Sequence, residues 1–460
     1  MAKRPLRKYF NLLSIFLIIS FFATSGFGCK LQSQAVKEKT QPITLNYWRV
    51  WDDADAFDSV ITDYQAVHPN IKINYRKFRY EEYEQELLNA WAEDRGPDIF
   101  SIPESWLMEY EPKIQPMPAE ISMAYQHVST GLQKEVTYEL KTLPTMTTRQ
   151  LKDNYPDIVA SNLIINNQIY GLPLSLETLV MFYNKDILNN SGIAQPPTTW
   201  NAFQDAVQKM ARFGTDSKII QAGTALGTGN NIDRCFDILS VLMMQNGATM
   251  ADINGSPTFF GGNRDTSKTP GNDALVFYTD FAMPLKSVYT WSSDMPNSLD
   301  AFMAGQVGII FGYNFNLATI KAQAPRLSLG VAPIPQVNSA TPKNYANYWI
   351  ETVSKKSKNP NEAWDFVLFL SQKQELSKYL AVAQRPAPLK SLINSQAEDE
   401  FLHAASTQTL TADNWYRGKD APAAESAFKE MANQYINAST DKEKSSIMSN
   451  ALYKIIQTMK

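Results

Sequence analysis

Glu104 and Glu177 are the residues with which this chain could run acid–base chemistry, because two carboxylates flanking a glycosidic bond are the working pair of a sugar hydrolase. The sequence gives no separation for them, and a solvated carboxylate is the default reading of either. Other catalytic chemistries find little support. His68, His127 and His403 form no ligand-spaced cluster, and no cysteine stands near them, so the common zinc patterns are missing. His68 precedes Pro69 at a helix end and is read as exposed. The glycine-rich run Gly223 to Gly229 lacks the Lys and the Ser/Thr that complete a phosphate loop. No nucleophile-elbow pattern occurs. No metal, no cofactor and no enzymatic activity are expected.

Aromatic residues beside strand ends carry more information. Trp48 and Trp51 follow the first strand, Trp106 follows a strand ending at Ile102, Tyr313 follows one ending at Phe311, and Trp349 lies in a later crossing segment. Ligands of open α/β sheets bind beyond the carboxyl ends of strands. Aromatic faces there suit sugar CH groups, with polar neighbours for hydroxyls. Each Trp taken singly reads as core; several at corresponding strand ends read as a binding wall.

The elements that would position them follow from periodicity. Leu45 to Trp48 makes a strand, and Phe57, Val60, Ile61, Tyr64 and Val67 make a helix that Asp52 or Asp53 can cap and Pro69 stops. Ile71, Ile73 and Tyr75 alternate as a second strand. Tyr83, Leu87, Leu88 and Trp91 mark a second helix, and Ile99 to Ile102 a third strand. Strand–helix–strand–helix–strand implies right-handed crossovers and a largely parallel sheet. Residues 107–162 are less regular, with a loop at Pro112, Pro116 and Pro118 and a helix over Leu132 to Leu140. Leu163 to Pro173 reads as a hairpin turning at Asn166-Asn167, since Asn tolerates positive φ. Five residues separate Pro173 from the buried strand Leu179 to Phe182. That spacing makes 174–178 an extended crossing between lobes, with Glu177 at the boundary. Asn184 or Asp186 caps a short helix, and Thr199 caps one with Trp200, Phe203, Val207 and Met210 on one face. Ile232 to Gln245 is apolar on most faces, hence buried. Val307 to Phe311 is a buried strand, Tyr345 to Val353 a second crossing, and Arg385 to Pro388 a third break. The chain beyond reads as helical.

With 460 residues, 44% of them hydrophobic, the chain supports two or three domain-sized units. Its opening is set apart. Lys3, Arg4, Arg7 and Lys8 precede an apolar run of twelve residues, Leu12 to Ala23, too short to span a membrane and right for an export signal. Gly26-Phe27-Gly28-Cys29 resembles a bacterial lipobox, so residues 1–28 read as a signal peptide and Cys29 as the lipidation site, with ordinary cleavage nearby as the alternative. Residues 29–42 would be a polar tether. Removing residues 1–28 takes away four positive charges and no negative ones, and moves the net charge from −3 to −7. An acidic protein of this kind is no nucleic-acid binder. The second cysteine, Cys235, sits among apolar residues as a buried small hydrophobe.

Gly96-Pro97-Asp98-Ile99, Ile169-Tyr170-Gly171-Leu172-Pro173, Phe182-Tyr183-Asn184-Lys185-Asp186, Pro196-Pro197-Thr198-Thr199-Trp200, Ala301 to Gln306 and Arg385-Pro386-Ala387 occur in order behind the export signal. Together they resemble the extracellular solute-binding proteins of ABC importers, in the carbohydrate-binding group that includes maltose-binding protein. The resemblance implies an α/β, two-lobed periplasmic-binding-protein fold with hinge crossings and a ligand cleft between the lobes. Residues 43–172 with 350–383 would form one lobe and 176–345 with 388–460 the other. It implies ligand contacts at Trp51, Asp52, Glu104, Ser105, Trp106, Glu177, Asn230, Asn231, Tyr313, Asn314, Trp349 and Arg385. The protein would be a monomer held at the cell membrane by lipidated Cys29, handing a sugar or oligosaccharide to ABC permease subunits. Trp349 departs from the family, where many members have Gly, and the 107–162 region is longer than in maltose-binding protein. The alternatives are the same fold binding a peptide or polyamine, a surface lipoprotein without a transporter, and a surface glycosidase.

Overall fold

The computed structural model describes residues 34–130, 134–261 and 269–460; the export signal and Cys29 lie outside them. Two five-stranded mixed sheets form the frame. The first runs in the order Ile71–Lys77, Ile43–Arg49, Ile99–Pro103, Trp349–Val353 and Leu172–Pro173. Its first three strands are parallel, and Trp349–Val353 pairs antiparallel with both neighbours. The second runs Arg212–Phe213, Ile219–Thr224, Val307–Gly312, Val180–Asn184 and Leu329–Pro333. Each sheet is the floor of one lobe, and helices cover its faces because strands buried on both sides must be roofed.

Three segments pass between the lobes. After Leu172–Pro173 the chain adds Glu177–Thr178 to a small sheet with Asn344–Asn347 and Ala412–Asp413, then enters the second lobe at Val180. It returns through Asn344–Asn347 into Trp349–Val353. The third passage follows the helix Lys373–Ala383, where Gln384 adopts a left-handed φ of 52° and the Leu176 N–H donates to Pro386 O at 3.1 Å. Two crossings hydrogen-bonded in one ladder and a third tied to it make a narrow hinge.

Local chemistry explains several elements. Asn166 and Asn167 take φ of 49° and 62° between Ile164–Ile165 and Gln168–Ile169, the geometry a two-residue hairpin turn requires. Asn184 accepts from the Asp186 and Ile187 N–H groups, and Thr199 from Ala202, as N-caps do. Helix Asp55–Val67 departs from expectation: its N-cap is Ala54, and the Asp52 and Asp53 side chains are used elsewhere. The expected helix over Leu132 to Leu140 is also wrong. Glu120–Thr130 and Lys134–Pro144 form a long antiparallel hairpin. Val136, Tyr138 and Leu140 alternate with polar residues at the strand period. Part of the polar tether is ordered too: Gln34–Lys39 is a short helix, with Val36 buried and Lys39 paired to Glu362 at 2.9 Å. His68 is buried rather than exposed, with Nδ1 3.1 Å from Ala124 O and Nε2 3.3 Å from Asp365. Burial pushes its pKa down, against the opposing pull of the Ala124 carbonyl and Glu362.

Candidate functional site

The carboxyl ends of strands from both sheets meet in the gap between the lobes. Trp51 leaves the first lobe two residues past Arg49, and Phe315 leaves the second three residues past Gly312. Their rings stack with centroids 5.4 Å apart and planes 14° from parallel. Tyr80 stacks on Trp51 at 6.1 Å, and Trp349 meets Trp51 edge-on at 6.0 Å. Trp349 also touches Tyr83 and Trp106, so one aromatic surface runs from the cleft into the first lobe's core. Trp106 is buried within it and stacks on Tyr110. Tyr313 is fully buried rather than a cleft wall: its hydroxyl donates to Asp237 at 2.8 Å, and its ring lies behind Phe315 at 5.6 Å. The Arg234 guanidinium sits 5.2 Å from the Phe315 centroid and 5.5 Å from that of Tyr313, within cation–π reach.

Beside the stack, charges alternate across the hinge. Glu351, wholly buried, accepts from Tyr47 OH at 2.7 Å and Ser101 Oγ at 3.1 Å, and lies 3.5 Å from Arg49. Arg49 lies 3.4 Å from Asp52, whose other oxygen takes two donations from Arg385 at 3.0 and 3.1 Å. Tyr379 OH also donates to Asp52 at 2.7 Å. Arg385 reaches Glu177 at 3.4 Å, and the second Glu177 oxygen accepts the Asn314 N–H at 2.9 Å. Burial alone would raise the Asp52 pKa, but Arg385 and Arg49 hold it below the usual carboxylate range. For Glu177 burial wins over Arg385 and the Asn314 N–H, and its pKa is pushed up to about 7. Glu177 thus spends both oxygens within the protein. It is a link between crossing segments and the Phe315 loop, not a free acceptor for ligand hydroxyls. Asn314 is likewise buried, with Nδ2 on Phe401 O at 2.7 Å.

A small pocket of about 30 Å³ lies deeper between the lobes, lined by Glu104, Ser105, Asp237, Tyr345, Asn347 and Glu425 among others. Burial pushes Glu104 up to about 8 and Glu425 up to about 6 and raises Asp237, with Arg417 and Arg234 partly opposing. Glu104 accepts from Asn414 Nδ2 at 2.6 Å, and Asn162 donates to Asn414 Oδ1 at 3.1 Å while Arg417 donates back to Asn162. These contacts clamp the first lobe to the 414–417 loop. A wider groove of about 490 Å³ opens beside the Trp51–Phe315 stack, bordered by Asp52, Asn314 and Arg385.

Of the twelve expected contacts, Trp51, Asp52, Asn314 and Arg385 border that groove, and Glu104 and Ser105 line the inner pocket. Trp106, Trp349 and Glu177 support it from behind. Asn230 and Asn231 do not join it. Asn231 braces its own loop, accepting from Trp291 Nε1 and donating to Ser292 O and Met295 O at 3.0 Å, while Asn230 borders a separate surface groove with Glu430. Phe315, Tyr80, Arg234, Asp237 and Glu425 were not read from sequence. Phe315 stands two residues past Tyr313 and carried the same strand-end signal; Tyr80 follows the second strand by three residues.

The family model described as bacterial extracellular solute-binding protein matches residues 59–406. The chain belongs to this family. Among relatives, the galactooligosaccharide-binding protein of Bacillus subtilis (strain 168) is 21% identical over 84% of this chain and 82% of its own. The multiple sugar-binding protein of Streptococcus mutans is 20% identical, with 84% of each chain covered. The sugar-binding protein MalE of Xanthomonas citri superposes with a TM-score of 0.69 at 17% identity, covering 90% of this chain and 98% of that one. This likeness establishes the fold of a two-lobed solute-binding protein. The family is one of extracellular solute-binding proteins, and the relatives and the structural neighbour named here are binding proteins by name. No described helix is long and apolar enough to cross a membrane.

Proposed function

We propose that the protein binds a sugar or oligosaccharide between its lobes and hands it to the permease of an ABC importer. The observation that carries this reading is the Trp51–Phe315 pair: two near-parallel aromatic faces, one from each lobe, that cover each other. A pyranose ring entering between them exchanges one ring–ring contact for two CH-lined faces, so the ligand gains most when both lobes hold it. That differential contact is what drives hinge closure. The lobes are 43–172 with 350–383 and 176–345 with 388–460, moving about the three crossings. Glu104, Asp237 and Glu425 on the inner pocket supply acceptors for hydroxyls. The sugar-binding names of the relatives above support the ligand class. Cys29, lipidated after removal of residues 1–28, anchors the monomer to the membrane.

The same three carboxylates favour one second reading, a cationic solute such as a polyamine. A thermal-shift screen of residues 30–460 separates them, because a ligand raises the melting temperature by mass action. Sugars should raise it and spermidine should not; a response to spermidine alone overturns the sugar reading.

A further inference from the structure

The long hairpin of the first lobe has two unlike faces. Ile121, Met123 and Tyr125 turn inward: the first two are buried in the core, and the Tyr125 ring lies 4.8 Å from that of His68. The charged groups of this hairpin half are on the same side, where Glu139 bridges His127 and Lys141, each at 3.1 Å. The opposite face follows from the register, which pairs Ser122 with Thr142, Ala124 with Leu140, Gln126 with Tyr138 and Val128 with Val136. It carries no charge from Ser122 to Val128 or from Val136 to Thr142, and Glu120 and Lys134 stand at its two ends. Val128, Val136 and Leu140 on it are 43%, 46% and 39% exposed, while Ala124, opposite Leu140, is buried, so the open part of the face lies toward the hairpin tip. A two-stranded ribbon has no other sheet to cover such a face, and a directly paired exposed Val128–Val136 stripe is costly in water.

The chain's course says what covers it. The short helix Gln34–Lys39 lies against both hairpin strands. Five residues further back stands Cys29, so the lipid anchor and this helix are separated by at most ~17 Å of extended chain. Each hairpin strand, at eleven residues, is ~36 Å long. We infer that the exposed apolar stretch of this outer face, Val128, Val136 and Leu140, is a membrane-contact surface that rests on the lipid bilayer beside the Cys29 anchor. The inference depends on the anchor proposed above. A chain held by one lipidated cysteine would otherwise swivel freely. A second, apolar footing sets the orientation of the cleft above the membrane, and weak apolar contact suffices because the anchor keeps its local concentration high.

The test uses the full-length lipoprotein, purified from membranes and reconstituted into vesicles of lipid alone. Val136→Cys is labelled with an environment-sensitive fluorophore; Cys235 is buried and does not compete. Tyr453→Cys, exposed on the C-terminal helix, is the control. Lipids carrying a quencher at the headgroup and at the upper acyl chain should extinguish emission from position 136 and leave position 453 bright, since an interfacial footing sits ~5–10 Å into that boundary. If the protein floats with the vesicles and position 136 stays bright, the footing is refuted while the anchor stands. If the protein does not float, anchor and footing fall together. If position 136 is shielded only in native membranes holding the permease, the surface docks on protein and the lipid inference is wrong.

Discussion

Replacing Arg385 by Met removes the central cation of the alternating chain without changing side-chain length much. Asp52 would keep Tyr379 OH at 2.7 Å and Arg49 at 3.4 Å. Glu177 would keep only the Asn314 N–H at 2.9 Å. Breaking a buried pair from one side commonly costs ~3–5 kcal/mol, because the partner charge stays buried. Glu177 can escape part of that cost by holding a proton. Burial already pushes its pKa up to about 7 with Arg385 present, and losing Arg385 raises it further. A folded-state pKa above the unfolded one confers stability at low pH that is lost as pH rises through the folded value. Between the wild-type and variant values only the variant still holds the proton, so its stability falls more steeply there, by about 1.4 kcal/mol per pH unit. The penalty of Arg385→Met is therefore smallest below about pH 7 and grows at alkaline pH. Urea melts of the wild type, Arg385→Met, Glu177→Gln and the double variant, at about pH 6 and about pH 8.5, read this out. The double variant should regain much of the alkaline loss, since no unpaired carboxylate remains. Equal penalties at both pH values, or a double variant no better than Arg385→Met, would refute the assignment of Glu177 as the linked group.

Phe315→Ala should weaken binding of the screened sugar by ~2 kcal/mol or more, about thirty-fold by calorimetry, as loss of an aromatic hot spot does. Tyr313→Phe should leave affinity nearly unchanged and lower stability by ~1.5–3 kcal/mol, because it deletes a buried hydrogen bond to the Asp237 carboxylate. Glu104 is raised from 4.5 to about 8, so the wild type should lose melting temperature as pH rises through that window, and Glu104→Gln should flatten the slope. Cys29→Ser should move the protein out of the membrane fraction; a wild type already soluble would overturn the anchor. Small-angle scattering should show the radius of gyration fall on saturation with sugar, and an unchanged radius would refute lobe closure.

Much of this protein is legible in the chain itself. The strand–helix alternation, the Asn166-Asn167 turn and the short Leu174 to Thr178 crossing are local signals, fixed by backbone preference and periodicity within a few residues. The strand-end aromatics and Glu177 at a crossing follow from the same reasoning, because the ends of strands in an α/β sheet face the cleft. Direction and partnership are another matter. Whether Tyr313 or Phe315 faces the cleft depends on how the loop turns after Gly312, where the Tyr313 hydroxyl bonds Asp237, 76 residues away, and the Asn314 N–H bonds Glu177, 137 residues away. Glu177 reads as a ligand acceptor until Arg385, 208 residues on, takes one of its oxygens. The hairpin at 120–144 is missed: its second strand reads as a helix over Leu132 to Leu140, although Val136, Tyr138 and Leu140 alternate at the strand period. Which of its faces meets the lobe depends on where helix Asp55–Val67 and His68 lie. Local sequence selects elements because backbone energies are short-ranged; only tertiary packing decides which buried charge meets which, because desolvation makes each pairing depend on every neighbour.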